Sequence, residues 1–172
     1  MSAPSPLDTD RLALLYAEAR RLEDAGDIPG ACEAFRACLA FDPDDHCGAA
    51  LRLARHGAAA PAAAPPAYVA TLFDQTADAF DAILVDQLGY DVPRLARDLT
   101  GRHTKGPHRI LDVGCGTGLS GAVFADMASD ITGVDLAQDM LALADDRDVY
   151  ADLYVGEAVA FMEGWDEAPF SL

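Results

Sequence analysis

The chain has 172 residues, of which 51% are apolar, and its formal net charge is −17. The apolar content is sufficient for a hydrophobic core and argues against disorder. Because the negative charge repels phosphates, we expect no nucleic acid and no anionic membrane among its partners. A small or cationic acceptor is compatible with this charge.

No stretch approaches the roughly 20 apolar residues that a membrane-spanning helix needs. The N-terminus lacks a basic region followed by an apolar one, so no secretion signal is predicted. The four cysteines show neither a C-x-x-C pair nor a metal-ligand spacing; they are Cys32, Cys38, Cys47 and Cys115. We therefore expect reduced thiols, no metal site and a cytoplasmic location.

The first 57 residues predict a helical segment, because apolar residues recur at helical spacing in three stretches. These residues are Leu12, Leu15, Tyr16, Ala19 and Leu22, then Ile28, Ala31, Phe35, Cys38 and Leu39, then Cys47, Ala50, Leu51 and Ala54. Residues 12–45 have the length of a tetratricopeptide repeat, about 34 residues. One repeat cannot bury its own faces. This segment therefore binds a partner or a second copy, packs as a helical cap on the domain that follows, or is capped by its own third helix.

The stretch 58–67 is rich in Ala and Pro and uncharged, which predicts a linker between two domains. Residues 68–172 would form the second domain. Its first part shows one helical pattern from Val69 to Leu84, then a short helix over residues 92–99, then a basic loop over residues 101–109.

The most informative pattern is a strand over residues 109–113 that runs into the glycine loop 114–118 and a helix from Leu119 to Ala128. Further strands are predicted over 131–135, which ends at Asp135, and over 150–155. A strand, a glycine turn, a helix and a strand with a terminal carboxylate are typical of a nucleotide cradle. The glycines admit the ligand to the backbone, and the carboxylate accepts hydrogen bonds from ribose hydroxyls.

The glycine spacing is G-x-G-x-G, whereas a dinucleotide-binding loop favours G-x-G-x-x-G and would need a glycine at Leu119. Asp112 lies near the end of the first strand, where a carboxylate would repel a diphosphate and suit an ammonium or sulfonium group. A nicotinamide-dependent oxidoreductase is therefore disfavoured.

The segment from Leu111 to Gly118, together with Asp135, resembles the class I S-adenosylmethionine-dependent methyltransferases. The resemblance implies an α/β fold with a Rossmann-like sheet, of which this chain offers the N-terminal half, about three parallel strands, after a small all-α segment. The family has seven strands in the order 3-2-1-4-5-7-6. Residues 168–172 look like the approach to the fourth strand, so we expect a chain truncated before it. The first strand would then be an open edge that favours self-association.

The resemblance also assigns S-adenosylmethionine as cofactor and implies a role for each site residue. Asp112 would lie near the ammonium group, and the loop residues would hold the methionine portion. Asp135 would bind the ribose, two apolar residues would pack on adenine, and two residues after the third strand would contact its edge. The loop residues are Gly114, Cys115, Gly116 and Gly118; the apolar pair is Leu136 and Met140; the last pair is Glu157 and Ala158. The sequence identifies no catalytic base.

Phe73–Asp81 resembles a segment that covers the cofactor in many small-molecule methyltransferases; an ordinary amphipathic helix fits its spacing equally well. With the repeat-like start, the chain resembles a group of bacterial methyltransferases that carry an N-terminal repeat. The resemblance implies methyl transfer to a small-molecule acceptor. The alternative is a non-catalytic interaction protein of the tetratricopeptide type with a vestigial or truncated cofactor-binding domain.

Overall fold

The computed structural model describes residues 7–172, which form two compact units. The first unit ends at Thr71, and the second is Leu72–Leu172. Within the described residues, every helix is too short or too polar to cross a bilayer.

In the first unit, three helices follow one another through short turns between residues 9 and 55. They are α1 (Thr9–Asp24), α2 (Ile28–Phe41) and α3 (Ala49–Arg55). An aspartate precedes each of the first two helices and accepts a hydrogen bond from a backbone N–H of the first turn: Asp8 from Arg11 at 2.9 Å and Asp27 from Gly30 at 3.1 Å. These caps stabilise the helix starts.

The core of the first unit lies between α1 and α2 and extends to α3. The buried residues are Leu12, Ala19, Ala31, Phe35, Cys38, Ala49 and Leu53. Tyr16 packs on Phe35 with their ring centroids 5.8 Å apart. The apolar faces predicted for the first two helices are confirmed except at Ile28, which is 36% exposed and lies outside the core.

The face predicted for the third helix is wrong. The helix begins after Gly48, which has φ 72°, and Asp45 accepts hydrogen bonds from Ala49 N and Ala50 N at 2.6 and 3.0 Å. This cap fixes the start of the helix at Ala49, so that Ala49 and Leu53 point into the core. The residues predicted to be buried there, Cys47, Ala50, Leu51 and Ala54, are only half-buried.

The single helix predicted from Val69 to Leu84 is wrong. The chain instead forms α4 (Pro66–Asp74), α5 (Ala77–Asp81) and a π-helical turn (Ala82–Gln87), followed by α6 (Val92–His103). The Thr76 hydroxyl lies 3.3 and 3.1 Å from the carbonyl oxygens of Leu72 and Phe73, and this local bonding breaks the helix between α4 and α5. Because α6 runs four residues past 99, the first residues of the predicted basic loop are helical.

The second unit is built on three parallel strands in the order β1-β2-β3. The elements are β1 (His108–Val113), α7 (Leu119–Phe124), β2 (Ala128–Asp135), α8 (Gln138–Asp145), β3 (Asp152–Val155) and α9 (Ala158–Glu163). This arrangement confirms the α/β class with about three parallel strands. The helix after the glycine loop is shorter than predicted, because a 3₁₀ turn (Ala125–Met127) follows it and β2 pairs from Ala128 onward.

The outer edge of β1 is partly paired. Leu172 N donates to Arg109 O at 3.3 Å, and Leu111 N donates to Leu172 O at 3.0 Å, which is the hydrogen-bond pattern of parallel strands. Ser171 N also donates to Arg109 O, at 2.8 Å. The expectation of an open edge along all of β1 is therefore wrong for residues 109–111.

Candidate functional site

The loop after β1 turns sharply at three glycines. Gly114, Gly116 and Gly118 have φ values of 67°, 53° and 82°, in the left-handed region that favours glycine. The loop is fastened to β2, because Gly114 N and Cys115 N donate to Val134 O at 2.8 and 3.2 Å. The backbone thus returns over the carboxyl end of β2 before α7 begins.

The three glycines face different surroundings. A Cβ atom built on Gly114 or Gly116 would meet nothing within 4 Å. A Cβ atom on Gly118 would lie 2.9 Å from Tyr150 Cε2 and 3.0 Å from Arg147 Cδ. Gly118 is therefore required by packing inside the protein, whereas the space beside Gly114 and Gly116 is open to a ligand.

Asp135 ends β2 beside this open part of the loop. Its Oδ2 accepts a hydrogen bond from Gly116 N at 2.8 Å, and its Oδ1 accepts one from Ala137 N at 2.9 Å. The side chain is half-buried. Each carboxylate oxygen has two lone pairs, so each still accepts a further hydrogen bond, such as one from a ribose hydroxyl.

Asp112 lies on the same face of the sheet as Asp135. Asp112 pairs with Gly133 in the β1–β2 register, and Asp135 is two residues beyond Gly133. The Tyr150 hydroxyl donates to Asp112 Oδ2 at 2.6 Å. Burial raises the pKa of Asp112, and the nearby Asp135 carboxylate raises this pKa further, while the hydrogen bonds from Tyr150 and from the Gly121 backbone oppose the shift.

Cys115, one of the predicted loop residues, is 6% exposed and turns inward. Its Sγ atom would lie 2.9 Å from a Cβ atom on Gly133. Burial, followed by the charges of Asp112 and Asp135, raises the pKa of this thiol to about 12. The thiol is therefore protonated at neutral pH, and it packs between the loop and β2.

The two residues predicted to pack on adenine are placed differently. Leu136 is half-buried directly after Asp135. Met140 is 1% exposed and packs in a buried cluster with Ala77 and Ala137. Met140 therefore has almost no free surface for a ligand while Ala77 covers it.

Glu157 and Ala158 follow β3 at the same carboxyl edge of the sheet. Gly156 N donates to Asp135 O at 2.9 Å, which holds the end of β3 beside the end of β2. The exposed Glu157 caps α9, because its Oε2 accepts from Ala160 N at 2.8 Å. Hydrogen bonds from the backbone N–H groups of Ala160 and Val159 lower the pKa of Glu157.

The residues that hold this site together include three that the sequence patterns did not single out: Thr117, Arg147 and Tyr150. Thr117 Oγ1 donates to Asp81 Oδ1 at 2.5 Å. The Arg147 guanidinium donates to Asp81 and to the Thr117 carbonyl. The signal for Arg147 is visible in the sequence, since it is the only Arg or Lys after residue 109.

The segment 73–81 contacts the glycine loop and α8 through its two aspartates. Asp81 binds Thr117 and Arg147 as above, and Asp74 Oδ1 accepts from Asp139 N at 2.8 Å in the first turn of α8. The sequence left two interpretations of this segment open. These hydrogen bonds place it against the elements that carry the predicted site.

A cavity of about 200 Å³ opens beside β1 and α7. It is lined by Ile110, Leu111, Asp112, Ser120, Gly121, Phe124 and Leu172. Asp112 contributes to its wall, but Asp135 does not. Among residues 7–172, no group of three or more His, Cys, Asp or Glu side chains is arranged to hold a metal ion.

Comparison with known proteins gives a family match over the second unit. Residues 110–170 match the family described as "Methyltransferase domain". The chain is 38% identical to a probable 18S rRNA (guanine-N(7))-methyltransferase of Dictyostelium discoideum over 66 residues. This match covers 37% of this chain and 23% of that protein. It is also 38% identical to a dTDP-3-amino-3,6-dideoxy-alpha-D-glucopyranose N,N-dimethyltransferase of Streptomyces fradiae over 79 residues. This match covers 44% of this chain and 31% of that protein.

A similar solved structure is that of the complex of DhpI with SAH, with a TM-score of 0.42 and 20% identity, covering 50% of this chain and 42% of that one. The chain spans less than a third of the length of the two curated relatives. The match lies on the segment that contains the glycine loop, Asp135 and the exit of β3.

The expectation that nucleic acid is excluded as a partner is wrong. Proteins similar to part of this chain include 18S rRNA methyltransferases of Dictyostelium discoideum, Bos taurus, Arabidopsis thaliana and Mus musculus. The physical reason is that net charge is a sum over the chain, whereas RNA binding depends on the local charge where the phosphates lie. A value of −17 therefore does not exclude an RNA substrate.

Proposed function

We propose that this chain, which carries a methyltransferase domain over residues 110–170, binds S-adenosylmethionine at the glycine loop and serves methyl transfer to a small-molecule acceptor. One observation carries the proposal. Gly114 and Gly116 leave open space at a backbone turn, and the half-buried carboxylate of Asp135 lies beside it with lone pairs to spare. This arrangement suits the close approach of a ligand with hydroxyl donors.

In this proposal each residue binds or orients the cofactor. Asp135 accepts hydrogen bonds from the ribose, and the loop backbone lies along the methionine portion. Asp112 provides negative charge for the ammonium group, directly or through water, and Leu136 packs on adenine, whose edge meets Glu157 and Ala158. Met140 supports this wall from within its buried cluster.

S-adenosylmethionine would supply a methyl group bonded to a sulfonium sulfur, and the neutral thioether that remains after transfer is a good leaving group. The protein then has to align donor and acceptor and exclude water. The proton that an amine or hydroxyl acceptor loses would pass to water or to a base, and no residue of this chain is assigned as that base. The segment 73–81, held by Asp74 and Asp81, is suited to exclude water because it lies against the loop.

The proposal of a small-molecule acceptor is supported by the likeness to the amino-sugar N,N-dimethyltransferase, which extends over 79 residues. An RNA acceptor is the second candidate, and the likeness to the 18S rRNA methyltransferases favours it. The two candidates share the cofactor site and differ only in the acceptor.

We further propose that residues 1–57 are a tetratricopeptide-like module joined to the methyltransferase domain (68–172) by the linker 58–67. The packing of α1 on α2 around Phe35 supports this proposal. The partner would be another protein or a second copy of the chain.

Calorimetric titration tests the cofactor site. The chain should bind S-adenosylmethionine and S-adenosylhomocysteine but not NAD. Asp135→Asn should weaken binding by about 1–3 kcal/mol, as for lost hydrogen bonds to a charged group. Asp152→Asn is the matched control, because Asp152 is an exposed aspartate at the opposite end of the sheet, where β3 begins. Equal affinity for the wild type and Asp135→Asn would remove the role of Asp135.

A transfer assay with a labelled methyl group tests the acceptor. The panel should contain amino sugars, phenols and an rRNA fragment. Transfer to a small molecule supports the first proposal, and transfer to the RNA supports the second candidate. Cofactor binding without any transfer would favour the non-catalytic interaction protein.

A further inference from the structure

Tyr150, in the turn before β3, occupies a slot formed by three glycines from three elements. A Cβ atom on Gly118 would lie 2.9 Å from Tyr150 Cε2, and one on Gly133 would lie 3.0 Å from Cε1. A Cβ atom on Gly121 would collide with the end of the ring and its hydroxyl. The glycine loop, α7 and β2 each leave room for this one ring, so the packing fixes its position.

The fixed ring places its hydroxyl against Asp112, with 2.6 Å between the hydroxyl oxygen and Oδ2. Burial raises the pKa of Tyr150, and the Asp112 carboxylate adds to the shift, so the hydroxyl stays protonated and donates. The carboxylate is thereby held in one orientation. A donor that stabilises the ionised form of a half-buried carboxylate is worth more than one at the surface.

The groups that face Asp112 can be named element by element. Tyr150 faces it from the turn before β3, Asp135 from the end of β2, and the Cys115 thiol from the glycine loop. Helix α7, which packs against it, contributes no titratable side chain. Tyr150 is thus the side chain that stabilises the negative charge of Asp112, while Asp135 opposes that charge.

We propose that Tyr150 is a positioning residue that keeps the Asp112 carboxylate ionised and aimed at the ammonium group of the cofactor. Tyr150 therefore controls recognition of the amino-acid tail of the cofactor and leaves recognition of adenosine to Asp135. This inference rests on the cofactor site proposed above.

The test compares two ligands that differ in the tail. S-adenosylhomocysteine has the ammonium group, and 5′-methylthioadenosine has the adenosine without the amino-acid tail. Tyr150→Phe keeps the ring in its slot and removes only the hydroxyl. We expect it to weaken binding of S-adenosylhomocysteine about tenfold or more, the lower end of the effect of a hydrogen bond to a charged group. Binding of 5′-methylthioadenosine should change by less than about twofold, within the effect of an ordinary surface change.

The ratio of the two affinities separates positioning from general support. If Tyr150→Phe weakens both ligands by the same factor, the residue only supports the loop and the inference is overturned. Tyr154→Phe is the matched control, since Tyr154 is 39% exposed and packs against Phe161 with the ring centroids 5.1 Å apart. It should leave the ratio unchanged.

Two further measurements make the test specific. In Asp112→Asn the carboxylate charge is absent, so adding Tyr150→Phe should not change the ratio of the two ligand affinities any further. If the effects of the two substitutions on this ratio were additive, the inference would be overturned.

In Tyr150→Phe alone, the loss of S-adenosylhomocysteine affinity in acid should begin at a higher pH than in the wild type, because the pKa of Asp112 rises. If the wild type binds neither ligand, the proposed cofactor site itself fails; if it binds both and the ratio does not move, only the role of Tyr150 fails.

Discussion

Two aspartates, one in each unit, each accept hydrogen bonds from two backbone N–H groups, but they differ in their access to a ligand. Asp45 accepts from Ala49 N and Ala50 N, and Asp135 accepts from Gly116 N and Ala137 N. Asp45 is 3% exposed, so a ligand has no access to its remaining lone pairs, and its bonds serve the protein's own structure around the start of α3. Asp135 is half-buried and faces open space, so its remaining lone pairs are available to a ligand.

Two glycines repeat this contrast. Gly48 and Gly116 both have positive φ values, 72° and 53°. A Cβ atom on Gly48 would lie 2.7 Å from the Tyr68 ring, whereas one on Gly116 would meet nothing within 4 Å. A positive φ or a capped N–H therefore does not mark a site. The mark is unfilled space beside a polar group that still has bonding capacity.

The largest expected effect is in the closed core of the first unit. Phe35 is fully buried, so Phe35→Ala should lower the free energy of unfolding by about 3–5 kcal/mol, measured by urea denaturation. Leu14→Ala is the control, because Leu14 is 73% exposed and its loss should cost less than about 0.5 kcal/mol. Cofactor affinity of the folded Phe35→Ala protein should not change. A tenfold loss of affinity would break the contrast between a structural unit and a binding unit.

The next effect divides the glycine loop itself. Gly118→Val should destabilise the protein by about 3 kcal/mol, because a β-branched residue is strained at φ 82° and would press on Tyr150. Gly114→Ala should cost only about 1–2 kcal/mol, the strain of a left-handed alanine. Its Cβ atom would project into the open space, so cofactor affinity should fall about tenfold or more, as for overpacking of 1–3 kcal/mol.

Urea denaturation and calorimetry on the same two variants check this division. If Gly114→Ala lost stability as Gly118→Val does and kept its affinity, the open space beside Gly114 would not belong to a ligand.

The order of the second unit was predictable because its signals are local. Apolar runs in β1 and β2, the G-x-G-x-G spacing and the Asp135 terminus each lie within a few residues, and the family resemblance that they carry implies the three parallel strands. Helix ends were less predictable. The break at Thr76 depends on one hydroxyl, and the start of α3 depends on the Asp45 cap.

The supporting residues of the site were missed for a different reason. Tyr150 lies 38 positions from Asp112, and Arg147 lies 66 positions from Asp81. The fold brings such distant residues together, and a single sequence shows no characteristic spacing between them. Net charge misled in the same way, because −17 describes the whole chain and says nothing of the surface that meets an acceptor.

The smallest expected effect concerns an ion pair in the first unit. Glu23 Oε1 lies 2.6 Å from His56 Nε2, and Glu23 Oε2 lies 3.5 Å from Arg52. The hydrogen bond from His56 lowers the pKa of Glu23 below its ordinary value, with Arg52 and Arg20 contributing less. A lowered pKa means that the folded state favours the ionised carboxylate.

The sign of the pH dependence follows from this shift. The stabilisation by Glu23 is present above the pKa of the unfolded chain, about 4.3, and is lost as the pH falls through the lower folded value. The free energies of unfolding of the wild type and Glu23→Gln, measured by urea denaturation, should therefore differ by less than about 1 kcal/mol at pH 7 and converge in acid. Glu33→Gln, at an exposed position of α2, should show no such convergence. If the free energies of unfolding of the wild type and Glu23→Gln kept a constant difference down to pH 3, the contribution of Glu23 to stability would not depend on its charge.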